Sequence, residues 1–179
     1  LDLSSGWGCR LLGAISIQNN IKSYVGIDPN SELHPCYNKM INDLCDEKNK
    51  YKFKMIDNGS EKVNYQSLGI KFNIVFWSPP FYKQEHYVAH ENKENFDKQS
   101  IEMYKTYEEW EDKFFIKTLN NCSKSVDHHG VIILYLGNIN YESFYKKMEK
   151  VMKDNQLSYL GNFSILGTTM RYFIVYYKI

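Results

Sequence analysis

At 179 residues, with 43% hydrophobic and 24% charged side chains, the chain can build one cored domain and is too short for two large ones. A formal net charge of +1 excludes a disordered polyelectrolyte and a polybasic tail. The longest aliphatic run, Val131 to Leu136, is far shorter than a membrane span, and no signal peptide is expected ahead of the first strand. The expectation is therefore an intracellular protein, in cytoplasm, nucleus or the cytoplasm of a virus-infected cell, with no membrane partner.

Leu1-Asp2-Leu3 reads as the tail of a strand, and the turn from Ser4 to Gly8 leads into a helix over 9–20. Tyr24 to Asp28 is a second strand, stopped by Pro29. Leu33, Tyr37, Met40, Ile41 and Leu44 recur at helical spacing and predict a helix over 33–48. A third strand covers 53–56, and a fourth, 72–77, is cut off by Pro79-Pro80. The polar stretch 81–99 reads as a loop or lid, followed by a long helix over 101–122. The continuous apolar run 131–136 predicts a strand buried on both faces. A helix over 141–155 and two strands, 159–166 and 170–179, joined at Gly167-Thr168-Thr169, close the chain.

Strand and helix thus alternate five times, which predicts a single α/β domain over 1–179. Its sheet is mainly parallel, with helices on both faces and an antiparallel pair at one edge. Leu1 is not a start methionine and its strand is a stub, so residues upstream are expected to complete it.

Cys9, Cys36, Cys45 and Cys122 show no CxxC spacing, which speaks against a zinc ribbon or a redox motif, and their low density favours a reducing compartment. His86 and His90 stand one helical turn apart, a spacing that can hold a metal, but no third ligand accompanies them and a surface or lid role is preferred. His128 and His129 are placed in a turn before Gly130.

Ligands of open α/β sheets bind at the carboxyl ends of the strands, and that rule selects three places. In the first, Asp2, Ser4, Gly6 and Gly8 form a turn whose glycines permit a close backbone approach ahead of a helix N-terminus. Leu11 stands where a dinucleotide turn has its third glycine, and the acid suits a cationic ligand better than a pyrophosphate. A plain strand-to-helix turn fits the residues equally. In the second, Asp28 follows Gly6 by 22 residues and is placed to accept from both hydroxyls of a ribose, the other reading being a helix cap. Asp57, ending the third strand, either holds a ring amino group or begins the Asp57-Asn58-Gly59 turn. In the third, Ser78-Pro79-Pro80-Phe81 is a rigid extended segment in which the Ser78 hydroxyl and Pro79 carbonyl can converge as acceptors beside the flat face of Phe81. That equipment suits a planar ring bearing an amino group; the alternative is a loop that merely ends the strand.

Together these residues resemble the class I S-adenosylmethionine-dependent methyltransferases, specifically those that act on exocyclic amino groups of nucleic-acid bases. Asp2-x-x-x-Gly6-x-Gly8 looks like their cofactor turn, Asp28 like their ribose acid, and Ser78-Pro79-Pro80-Phe81 like their catalytic tetrapeptide. The stretch from Gly6 to Ala14, Gln99-Ser100 and Glu109-Trp110 are similar to phage- and virus-type members. The resemblance covers nearly the whole chain, with the tetrapeptide as its specific part. It implies a Rossmann-like methyltransferase fold with a seven-stranded sheet and an antiparallel edge strand, and S-adenosylmethionine lying across the strand ends. It also implies a flipped base stacked on Phe81, whose amino group donates to Ser78 and to the Pro79 carbonyl. The cysteines are then packing residues. Serine at the first position is commoner among cytosine-methylating members; adenine stays open.

Charge complicates a DNA substrate. The segment 82–129 carries 7 Lys against 10 acids, whereas 141–179 carries 6 Lys plus Arg against 3 acids. The basic side chains Lys146, Lys147, Lys150 and Lys153 are read as a solvated helix face. A missing recognition domain or a partner subunit is expected to supply nucleic-acid affinity. DNA is the favoured substrate; the same chemistry on RNA and a catalytically silent, methyltransferase-like partner subunit are the alternatives.

Overall fold

The computed structural model describes residues 1–82, 97–137, 142–167 and 170–179. Six strands form the sheet: β1 (Tyr24–Asp28), β2 (Phe53–Asp57), β3 (Phe72–Trp77), β4 (Val126–Tyr135), β5 (Leu157–Leu166) and β6 (Met170–Lys178). The stub at 1–3 is inserted between β1 and β3. Asp2 N–H donates to the Val25 carbonyl at 2.8 Å, and the Asp2 carbonyl accepts from Ile27 at 3.0 Å. On the other side Leu3 N–H donates to Phe76 at 3.1 Å, and the Leu1 carbonyl accepts from Phe76 at 2.9 Å. The resulting order is β2-β1-(1–3)-β3-β4-β6-β5.

β1 pairs β2 in parallel, and β3 pairs β4 in parallel. β6 runs antiparallel to both β4 and β5. The antiparallel pair expected at one edge is present: β6 lies one place in from the edge and pairs antiparallel with the edge strand β5, which itself runs parallel to β4. The helix preceding β5 carries the chain past one sheet position, and the terminal hairpin fills that gap from outside.

Helices α1 (Cys9–Ser16) and α2 (His34–Leu44) cover one face of β1 and β2, where Leu11, Ile15, Tyr24, Tyr37, Ile41 and Phe53 form a small core. The larger core lies on the opposite face. There Val75 and Trp77 of β3 and Ile132 and Leu134 of β4 meet Trp110, Phe115, Leu119 and Phe144, with Trp77 stacked on Phe115 at 4.7 Å. All five residues of β1 are buried, as befits a strand with both faces covered.

The long helix over 101–122 is in fact interrupted. A short α3 (Ser100–Met103) precedes α4 (Tyr107–Glu109), a π-helical stretch (Trp110–Ile116) and α5 (Lys117–Ser123). Thr106 restarts the helix: its hydroxyl accepts from Glu109 N–H at 3.1 Å while the Glu109 carboxylate reaches back to Lys105 N–H. This is close to a capping box, so Thr106-x-x-Glu109 marked the break in sequence. α1 stops at Ser16 because 17–20 turn on i→i−3 bonds, and the Gln18 amide oxygen is taken by Asp46 N–H and Asn49 Nδ2. β4 begins at Val126, five residues earlier than expected. His128 and His129 lie within it as a bulge, where Phe72 pairs Val126 but Ile74 pairs Val131.

On α6 (Glu142–Asp154), Lys146 and Lys150 pair with Glu142 and Asp154 one turn away, as a solvated face does. Lys147 is different, bridging to Glu111 and Asp112 of the π-helical stretch. Cys45 and Cys122 are buried, as packing residues are, but Cys9 and Cys36 are exposed. His86, His90, Tyr141, Thr168, Thr169 and most of the expected lid lie outside the described residues. Among the described residues no helix is long and apolar enough to cross a membrane, and no three His, Cys, Asp or Glu side chains cluster to hold a metal.

Candidate functional site

A cavity of about 540 Å³ opens at the carboxyl ends of β1, β2, β3 and the stub at 1–3. This is the size of a small-ligand pocket. All three segments selected from the sequence reach it, contributing Ser4, Gly6, Asp28, Asp57, Ser78 and Pro80.

The turn after the stub is built around two left-handed glycines, Gly6 at φ 53° and Gly8 at φ 80°. Gly6 faces the cavity. Gly8 does not: a Cβ there would stand 3.1 Å from Met40 Sδ, so this glycine lets α1 approach α2. Tyr37 reinforces the turn by donating its hydroxyl to the Gly6 carbonyl. The indole of Trp7, 78% exposed, stands at the cavity mouth.

Asp2 is buried and does not line the cavity. Its carboxylate accepts from Arg10 Nε at 2.8 Å and from the Tyr24 hydroxyl at 2.8 Å. The cation that this acid suits is therefore supplied by the chain itself, which corrects its assignment to a cationic ligand. Arg10 also donates to the Ser4 carbonyl and lies over the Phe76 ring at 5.0 Å.

Asp28 is 8% exposed and caps the cavity at the end of β1. Oδ2 accepts from Gly6 N–H at 2.8 Å and Oδ1 from Asn30 N–H at 3.0 Å; the helical turn at 31–33 is capped by Asn30, whose side chain accepts from Glu32 N–H, so Asp28 is not the helix cap. Burial pushes its carboxyl above the usual range, and the Asn30 and Gly6 amides partly offset this. Asp57 pairs Asp28 in register on the neighbouring strand and is exposed at the cavity edge.

The Ser78 carbonyl accepts from the Ser4 hydroxyl at 2.6 Å, which ties the glycine turn to the proline segment. Pro80 is fixed by its carbonyl, which accepts from Trp110 Nε1 at 3.1 Å. Pro79 and Phe81 do not line the cavity. Phe81 is 7% exposed, with its ring edge-on to Tyr135 at 5.9 Å. A Cβ on Gly137 would stand 3.1 Å from that ring, so the glycine makes room for it. The expected stacking face is therefore part of the core, because the extended prolines carry Phe81 past the cavity and over the end of β4.

Several cavity residues carried no functional assignment from the sequence. Glu61 sits in a polar run that gives no hint of burial, yet it is 4% exposed and lines the cavity with Tyr104 and Phe114. Arg171, at the start of β6, lines it too. The chain has only two arginines among 22 basic residues, and both reach this cavity, a bias that was visible in the sequence. Gly26 was also legible as a glycine inside a strand: a Cβ there would stand 2.5 Å from Ser5 Oγ and 2.6 Å from Met55 Cε.

The arrangement fits a nucleoside-bearing cofactor. It offers a buried acid for a diol and a close-approach turn beside it.

No protein-family model and no curated protein matches this sequence. Solved structures do match in fold. Magnesium protoporphyrin IX methyltransferase from Synechocystis PCC 6803, solved with bound SAM, has a TM-score of 0.58 at 12% identity over 99% of this chain and 68% of its own. A methyltransferase from Pyrococcus furiosus has a TM-score of 0.60 at 15% identity, covering 99% and 73%. An rRNA methylase from Streptococcus thermophilus has a TM-score of 0.59 at 9% identity, covering 99% and 84%. At these identities the likeness establishes the Rossmann-like methyltransferase fold.

Proposed function

We propose that this chain is an S-adenosylmethionine-dependent methyltransferase acting on the exocyclic amino group of a base, cytosine or adenine, in DNA. One observation carries the reading. The glycine turn, the ribose acid and the proline segment meet in one cavity, joined by the Ser4–Ser78 and Gly6–Asp28 hydrogen bonds. The fold of solved methyltransferases supports the cofactor.

When bound, the cofactor supplies an electrophilic methyl group on a sulfonium. Asp28 accepts from the ribose hydroxyls through its free lone pairs, and the Gly6 turn admits the ligand close to the backbone. Ser78 accepts an N–H of the target amino group, which turns the nitrogen lone pair out of ring conjugation. The rate gain is then mainly one of positioning. Phe81 stays in the core and supports the segment from behind. A recognition domain or partner subunit supplies the basic surface for nucleic acid, with Arg171 as the chain's own contribution, and the protein works inside the cell.

Two other readings are kept for stated reasons. RNA is supported by the rRNA methylase among the fold neighbours. A silent partner subunit is supported by the burial of Phe81, which leaves the tetrapeptide without its stacking face. Transfer of a tritiated methyl group to DNA and RNA duplexes and single strands, with Ser78→Ala as control, separates them. DNA labelling lost in the variant is the expected result. Equal or better labelling of RNA sinks the DNA reading, and an absence of calorimetric heat with the cofactor sinks the enzyme reading.

A further inference from the structure

A basic groove forms where the loop after β2 meets α5. The segment 82–129 is acidic on balance, but its lysines are not all spent on its acids. Lys105 and Lys113 pair with Glu102 and Glu109 one turn away. Lys117 and Lys124 meet no carboxylate and donate no hydrogen bond from their ammonium groups among the described residues. Lys117 is the first residue of α5 and Lys124 follows its last, with Asn121 between them on the same face. With Lys62 from the loop after β2, these side chains line a second cavity of about 290 Å³.

The ordinary reason for a lysine at a helix end does not apply to Lys124. The carbonyls there are already occupied: that of Ser123 accepts from Lys178 Nζ at 3.3 Å and that of Lys124 from Lys71 Nζ at 2.6 Å. The Lys124 ammonium is therefore spare. One acid also lines the groove, the buried Glu61, whose Oε1 stands 4.0 Å from Lys62 Nζ. Three ammonium groups thus share one carboxylate, and an anion in the groove relieves their mutual repulsion. Lys117 and Lys124 are seven residues apart, about 10 Å along the helix axis, so the pair is spread to follow successive anionic groups rather than to clamp one. Glu61 and Lys62 line the ligand cavity as well, so the groove runs up to its rim.

We propose that Lys62, Lys117 and Lys124 form a phosphate-binding groove that holds the backbone of a polynucleotide beside the cavity its target base enters. The proposal rests on the nucleic-acid substrate proposed above and adds a second basic element to Arg171. Contacts to phosphate alone position the strand without reading its sequence.

The test is the salt dependence of binding, read by fluorescence anisotropy with a labelled single strand and a labelled duplex on the full chain. Replacing Lys117 and Lys124 together by Gln lowers the slope of log affinity against log salt by about 1.4 on the single strand and about 1.8 on the duplex. Replacing Lys146 and Lys150 together by Gln removes the same charge from a face whose lysines are paired on their own helix, and changes the slope by well under half as much. Calorimetry with S-adenosylhomocysteine shows unchanged cofactor affinity in the Lys117 and Lys124 variant, and thermal unfolding checks that it is folded. The Arg replacements at the same two positions, which keep both charges, retain the wild-type slope. An unchanged slope in the Gln variant, an equal fall in the Lys146 and Lys150 control, or a lost slope in the Arg variant overturns the groove while methyl transfer by the wild type leaves the enzyme reading standing. A wild type that binds neither strand also overturns the groove. Binding through the groove without any methyl transfer overturns the enzyme reading alone.

Discussion

Oδ2 of Asp28 accepts the amide N–H of Gly6 at 2.8 Å, joining two residues 22 apart in sequence. The bond locks the glycine turn to the end of β1, so the same carboxylate orders the turn and lines the cavity. Asp28→Ala is expected to weaken S-adenosylhomocysteine binding roughly 10- to 100-fold, since bonds to a charged acceptor are each worth about 1.5–3 kcal/mol. Calorimetry on wild type and variant checks this.

The pH dependence of Asp28 has a definite sign. Burial raises its carboxyl above the ordinary 3.8. In the window above 3.8 the folded chain therefore binds more protons than the unfolded one, and Asp28 makes the ligand-free protein more stable as pH falls through its raised value. Ribose hydroxyls donate to the ionised form, so ligand affinity falls over the same window. Titrating binding from neutral pH down toward the ordinary 3.8 should show this loss in wild type and a flatter profile in Asp28→Asn; an identical slope in both would assign the effect to another group.

Gly26→Ala introduces a methyl group 2.5 Å from Ser5 Oγ, and Ser5 belongs to the ligand turn. Overpacking of this kind costs about 1–3 kcal/mol. Met55 has a flexible end and can yield; the Ser5 hydroxyl is buried and must rotate or shift within the turn. The expected outcome is a lowered Tm together with weaker cofactor binding, both measurable in one thermal-shift series.

Phe81→Ala is a core truncation in this structure and is expected to cost about 3–5 kcal/mol in urea unfolding, with Phe81→Leu costing much less. A ring that touched substrate instead would show the opposite pattern, with little stability loss and a large fall in methyl transfer.

Arg171 lines the cavity, and no hydrogen bond or ion pair engages it among the described residues. If it meets a phosphate, Arg171→Gln weakens nucleic-acid binding uniformly across sequences. It also reduces the slope of log affinity against log salt by about 0.9. An unchanged slope removes Arg171 from the substrate surface.

Removing the Asp2 carboxylate strands Arg10 and the Tyr24 hydroxyl. Breaking a buried pair costs about 3–5 kcal/mol, and the loss in Asp2→Ala should fall below that range because Arg10 is about one third exposed. Chemical denaturation reads the value, and methyl transfer by the folded fraction should persist.

Much of this fold was legible because its signals are local. Tyr24–Asp28 and Phe72–Trp77 are bounded by prolines and filled with β-formers, and both strands fall where the pattern put them. The turn at Gly6 and the acid at Asp28 were legible because a strand end, a glycine and a fixed spacing suffice to specify them. The break at Thr106 was also written locally, and was overlooked because the apolar spacing runs through it. β6 was assigned as a strand, but its place inside the edge depends on which gap the crossover leaves open, a property of the whole sheet.

The sequence by itself determined the alternation of strands and helices and the three segments that reach the cavity, because periodicity, prolines and glycines act within a few residues. Only the tertiary structure decided which side chains those segments turn toward the cavity. It pairs Asp2 with Arg10, sinks Phe81 against Tyr135, and buries the carboxylate of Glu61. Burial and pairing are properties of what distant elements bring alongside, and no local pattern encodes them.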